Sequence, residues 1–256
     1  MAFDPVFARD VALPLAQAAY TVMDGHPATM PPGFSQTSLI QADGVVLASM
    51  TTPHPAVVAM MKDTGIFGLM GRNTASRTAF LSFRGTADVA EWVADIDAIP
   101  GDYRSIPEFG QVHSGFQDVY ELVRADIAAN LPAAIAGCDQ ILVTGHSLGA
   151  ALAVIAAPDI ARAMPPNTIE PRLITFAGPK VGLSDFAAQF NALIEGCFRV
   201  VNSLDVVPFL PPTPPTAYVH VGAQISINSG GQIQLGWRHS LAAYQQGLTG
   251  FIAAQR

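Results

Sequence analysis

Between residues 140 and 157 the chain runs QILVT, then GHSLG, then AALAVIAA. A β-branched run suits a strand, and a stretch of Ala and Leu suits a helix. Only a sharp turn separates the two. Gly145-His146-Ser147-Leu148-Gly149 has the form G-x-S-x-G. Its glycines are a geometric requirement, because a side chain at either flank would collide with the strand or the helix where the backbone doubles back. The turn lifts Ser147 onto a strained corner at a helix N-terminus. The partial positive charge there favours a developing anion.

The rest of the text fits a fold built on such strand–helix units. Residues 5–23 predict a helix ending at Gly25. Ile66–Met70 and Thr78–Phe83 flank the polar turn GRNTAS and predict a β-hairpin. Ser114 reads as an N-cap, followed by Phe116, Val119, Tyr120, Val123 and Ile127 at helical spacing. RLITFA predicts a buried strand, residues 183–193 a helix, and CFRVVNS a further strand ending just before Asp205. VHVGAQISI and QIQL around NSGG predict a second hairpin. The last helix starts near His239 or Ser240. Residues 26–65 match no pattern. The alternation predicts an α/β fold with a mostly parallel central sheet flanked by helices, as one domain over residues 1–256.

Half of the 256 residues are hydrophobic and 13% are charged, with a formal net charge of −7. A chain of this length can bury a large core. Without a run of Lys or Arg, nucleic acid is not an expected partner. No apolar run reaches the roughly 18–20 residues of a membrane span. The N-terminal stretch has acids at Asp4 and Asp10 and is interrupted by Gln17, so no export signal is read there. The expectation is a cytoplasmic protein or a secreted one already trimmed. Cys138 and Cys197 precede two different strands with a third between them. Strands so placed lie about 9–10 Å apart, beyond the roughly 7 Å a disulfide allows, so both are expected as free buried thiols.

A serine on this kind of elbow takes its acid and then its base from later in the chain. Of the six histidines, only His220 and His239 follow Ser147. His220 alternates with Val219 and Val221 and reads as a packed histidine. His239 lies between the expected hairpin and the last helix and is the better base. The intervening acids are Asp159, Glu170, Asp185, Glu195 and Asp205. Reactive groups of open α/β sheets gather at the carboxyl ends of strands. Asp205 meets that condition. Asp159 lies down the helix behind the elbow, Glu170 and Glu195 precede strands, and Asp185, the runner-up, reads as a helix N-terminal acid. The candidate catalytic set is Ser147, Asp205 and His239.

With these residues assigned, the chain resembles the fungal-type class 3 triacylglycerol lipases, a group that includes some feruloyl esterases. The resemblance covers roughly residues 66–248. It rests on SFRGT (82–86), W-x-x-D (Trp92 to Asp95), VHSGF (112–116), TGHSLGAALA (144–153), TFAGPKVG (175–182), NSLDVVPFLPP (202–212) and RHSLAAY (238–244). It implies the α/β-hydrolase fold and hydrolysis of carboxylic esters through an acyl-enzyme. The implied oxyanion hole is the backbone N–H groups of Thr86 and Leu148. No cofactor or metal is implied, and the partner is an ester or lipid substrate, with transient contact to a lipid surface. It also implies a lid after Thr86. In ADVAEWVADI (87–96), Val89, Trp92, Val93 and Ile96 share one helical face, which suits either a mobile lid or a helix packed permanently on the core. Acylglycerols, small soluble esters, phospholipid acyl chains and feruloyl esters stay open as substrates. An acyltransferase and a non-catalytic binding module stay open as other functions. The signal peptide and disulfides usual in secreted members are not found.

Overall fold

The computed structural model describes residues 2–61, 65–86, 98–164 and 169–255. Its centre is a seven-stranded sheet in the order β1-β2-β3-β6-β7-β8-β9. The strands are β1 (Ser35–Gln41), β2 (Ile66–Asn73), β3 (Thr78–Phe83), β6 (Gln140–His146), β7 (Glu170–Phe176), β8 (Gly196–Asn202) and β9 (Ala223–Ile227). The short pair β4 (Pro100–Asp102) and β5 (Gln111–His113) forms a separate two-stranded sheet. From β3 to β9 the neighbours run parallel, while β1–β2 and β2–β3 are antiparallel. This is the α/β-hydrolase fold.

The period of two in each strand divides the core. Leu81, Phe83, Ile141, Val143 and Leu173 face one cluster, and Phe80, Leu142, Ile174, Phe176 and Val200 face another. Strands apolar on both faces need helices on both faces. The first cluster is covered by α4 (Ser114–Ile135), α5 (Leu148–Ala163) and α6 (Ser184–Leu193). The second is covered by α1 (Leu13–Met23) and the C-terminal helix α8 (Leu241–Ala253). A helical turn, Pro5–Phe7, and a π-helical turn, Ala8–Ala12, lead into α1, so helix covers 5–23 as expected. Asp4 caps its start, accepting from the amides of Val6 and Phe7.

The described residues of 26–65, unread in the sequence, hold the edge strand β1 and two short helices, α2 (Gly44–Ser49) and α3 (Pro55–Met61). Two expectations need correction. The cap of α4 is His113, whose Nδ1 accepts from the Gly115 amide at 3.1 Å, while Ser114 Oγ donates to the Ile99 carbonyl. The second hairpin does not form. β9 instead pairs parallel to β8, and Leu235 opens a short helix, α7 (Leu235–His239). The turn NSGG is used elsewhere: Ser229 N–H donates to Asn202 Oδ1, and Asn228 Oδ1 accepts from Arg238. Both cysteines are free and buried, as expected from β7 lying between their strands.

Candidate active site

Ser147 sits between the end of β6 and the start of α5 with φ 59° and ψ −127°. Positive φ in a residue with a side chain costs of order 1–3 kcal/mol and persists only where surrounding structure imposes it. Here the close packing of β6, α5 and the loop after β3 imposes it, and the two glycines permit that packing. A Cβ on Gly145 would run into the Gly149 carbonyl, and one on Gly149 into the carbonyls of Phe83 and Arg84. The Ser147 amide donates to the Phe176 carbonyl at 3.0 Å, holding the corner to β7.

The parallel register pairs Phe83 with Gly145, so residues 84–86 leave the sheet beside the elbow. A Cβ on Gly85 would lie 3.1 Å from that of Ser147. Buried Thr86 follows directly, and Leu148 is the first residue of α5. Arg84 is fully buried and anchors this loop: Nε donates to the Ile66 carbonyl at 2.6 Å and Nη2 to the Met60 carbonyl at 2.6 Å.

Asp205 follows β8 after a turn in which Leu204 adopts φ 65°. Its carboxylate is 1% exposed and accepts several hydrogen bonds. His239 Nδ1–H lies 3.0 Å from both oxygens, the Tyr244 hydroxyl donates to Oδ2 at 2.7 Å, and the Val207 amide donates to Oδ1 at 3.1 Å. These donors offset the cost of burying the charge. Burial, and then the neighbouring Asp205, hold the Tyr244 phenol well above its usual range, so it remains a donor. With Nδ1 engaged, the second nitrogen of His239, Nε2, is buried and makes no hydrogen bond; neither does Ser147 Oγ.

The loop before His239 is held by polar contacts. Asn202 Nδ2 donates to the Arg238 carbonyl at 2.8 Å, and Arg238 Nε donates to the Gln232 carbonyl at 2.7 Å. The competing candidates lie elsewhere. Asp159 is paired with Arg124 at 2.8 Å and accepts from the Tyr120 hydroxyl. Asp185 receives the Phe186 amide at the start of α6. His220 Nε2 donates to the Pro208 carbonyl at 2.7 Å. The lid candidates Val89, Trp92, Val93 and Ile96 lie outside the described residues. Among the described residues no group of three His, Cys, Asp or Glu side chains is placed to hold a metal, and no helix is long and apolar enough to cross a membrane.

Sequence reasoning missed Tyr20, His146 and Tyr244, which pack around the three candidates. His146 occupies the variable position of G-x-S-x-G, and Tyr244 closes the RHSLAAY motif, so each had a local signal. Tyr20 had none, since it reaches the site only because α1 crosses the sheet.

The family model described as Lipase (class 3) matches residues 80–214. The chain belongs to the class 3 lipases. A lipase of Rhizopus niveus is 30% identical over 193 residues, covering 73% of this chain and 46% of the relative. Phospholipase A1-II 6 of Oryza sativa subsp. japonica is 32% identical over 238 residues, covering 75% of this chain and 54% of that relative. Among solved structures, a triacylglycerol lipase whose catalytic centre is formed by a serine protease triad superposes with a TM-score of 0.68 at 25% identity, covering 84% of this chain and 77% of the other. The chain spans about half the length of the curated relatives it matches.

Proposed function

We propose that this class 3 lipase hydrolyses acylglycerol esters by acyl transfer through Ser147, with His239 as base and Asp205 as the acid that orients it. The observation that carries the reading is the Asp205–His239 contact. A carboxylate only accepts, so the imidazole must place its proton on Nδ1 and its lone pair on Nε2. That lone pair is the base the Ser147 hydroxyl needs, and closing the Oγ–Nε2 contact belongs to the substrate complex. The hydroxyl then attacks the ester carbonyl. The tetrahedral oxyanion is received by the N–H groups of Leu148 and Thr86, and the imidazolium returns its proton to the leaving alcohol. Water repeats the cycle on the acyl-enzyme.

A lipid rather than a small soluble ester is favoured by the surroundings. From Val206 to Trp237 the chain carries no Asp, Glu, Lys or Arg. Leu204, Phe209, Ile233 and Leu235 are exposed on the loops that carry Asp205 and lead to His239. These loops leave the same sheet edge, tied by the Ser203 amide on the Ile227 carbonyl. An uncharged apolar rim suits transient contact with a neutral lipid surface.

The test is Ser147→Ala on emulsified triglyceride and on p-nitrophenyl esters from C2 to C16. Activity should fall by about 10⁴–10⁶ in kcat with the fold intact. A variant retaining a tenth of the activity would remove Ser147 as nucleophile. A wild type active only on C2–C4 esters would replace the lipid reading with a soluble carboxylesterase.

A further inference from the structure

Behind the acid loop lies a second buried polar site. Cys197 and Arg199 lie two residues apart on β8 and so share a face of the sheet. Arg199 is 9% exposed. Its Nε donates to the Val221 carbonyl at 2.7 Å, whereas Nη1 is buried and makes no hydrogen bond. Arg199 lines a cavity of about 10 Å³, together with Val154, Thr175, Gly178 and His220. That is room for one small particle.

Among the described residues the charges around the cavity share one sign. The acidic group that acts on Arg199 is the Cys197 thiol, and burial pushes that up to about 12, so it stays neutral. Lys180 stands nearby, its Nζ donating to the Pro211 carbonyl and the Thr213 hydroxyl at 3.1 Å each. Burial first, then Arg199 and Lys180, hold His220 down at about 4. A desolvated guanidinium without a counter-charge is costly, and buried charges are normally paired. Water would satisfy Nη1 as a donor but not the charge.

We propose that this cavity is a binding site for a small monovalent anion of halide size, held by Nη1 of Arg199. The site adjoins His220, which grips Pro208 in the turn after Asp205. A bound anion therefore braces the loop carrying the acid from behind, without touching the reacting atoms.

Crystals of the full chain soaked in sodium bromide test this directly. An anomalous bromine peak should appear within hydrogen-bond reach of Arg199 Nη1. In solution, bromide should raise the melting temperature in a saturable way by roughly 2–4 °C over sodium gluconate at equal ionic strength. Arg199→Gln should lose both the peak and the increment. Should that variant not fold, Val154→Ile keeps the guanidinium, fills the cavity and should also lose the increment. Ordinary water density with no anomalous peak overturns the proposal, as does an equal rise in both salts. A peak without any melting increment is binding at crystal concentration only and overturns it too.

Discussion

His146 Nε2 donates to the backbone carbonyl of His239 at 2.6 Å, with the two ring centroids 4.6 Å apart. Because a carbonyl only accepts, His146 carries its proton on Nε2, and its Nδ1 accepts from the Tyr20 hydroxyl at 2.9 Å. Burial, with His239 next in effect, holds His146 well below the usual histidine range. It stays neutral, which leaves the proposed proton transfer to His239. The contact also fastens the serine elbow to the backbone of the proposed base.

His146→Leu should therefore act twice. It removes the acceptor of the Tyr20 hydroxyl proton and the donor to the His239 carbonyl in a buried setting, at about 1–3 kcal/mol each. It also loosens His239, so kcat should fall with KM little changed. Thermal melts and ester kinetics read the two effects. An unchanged kcat in a destabilised protein would show that His239 is positioned by Asp205 alone.

Asp205→Asn should lower kcat by about 10³–10⁴, because the amide no longer enforces the Nδ1–H tautomer. Asp185→Asn should be close to neutral, since that carboxylate serves the start of α6. The reverse ranking would move the acid to Asp185.

Tyr244→Phe removes one donor from a buried carboxylate while leaving His239 and the Val207 amide in place. Hydrogen bonds to charged groups contribute about 1.5–3 kcal/mol, so both stability and kcat should fall, kcat by roughly tenfold or more. A kcat within twofold of wild type would mean that the two remaining donors suffice to hold the acid.

Stability should decline as pH falls below about 6.5. His146 and His220 are both held below their ordinary value, His220 at about 4. Below the ordinary value the unfolded chain takes up protons that the folded chain refuses, which favours unfolding by up to roughly 1.4 kcal/mol per pH unit per group. For His220 the slope should level off near pH 4. Urea titrations from pH 7 to pH 4 should show this, and His146→Leu should remove its share. A flat profile would mean that neither ring is held neutral.

The apolar rim predicts a split between substrates. Phe209→Ser combined with Ile233→Ser should reduce hydrolysis of emulsified triglyceride several-fold and leave a dissolved C4 ester unaffected, because the exposed side chains touch the surface and not the reacting carbonyl. Equal loss on both substrates would place these side chains in the cleft itself.

Local chemistry carried much of this protein in its sequence. The G-x-S-x-G turn could be read because glycines at 145 and 149 are required by contacts within a few residues or with the adjacent strand. Asp205 and His239 could be singled out as a candidate pair, because chain order and strand ends leave few places for them, and the structure brings the two side chains together. The strands β3, β6, β7 and β8 were legible because burial on both faces writes largely apolar runs.

Tertiary structure decided what depends on a distant partner. Periodicity records that a segment is buried but not what it pairs with, so QIQL looked like a strand although β9 had already taken the open edge of β8. Ser114 looked like a cap, but the Ile99 carbonyl claims its hydroxyl and His113 takes the amide. Tyr20 is 126 residues from His146, and Asp205 is 39 from Tyr244. A motif can flag one member, as at His146 or Tyr244, but not its partner, because a buried donor needs only some acceptor, and the path of the fold selects which one.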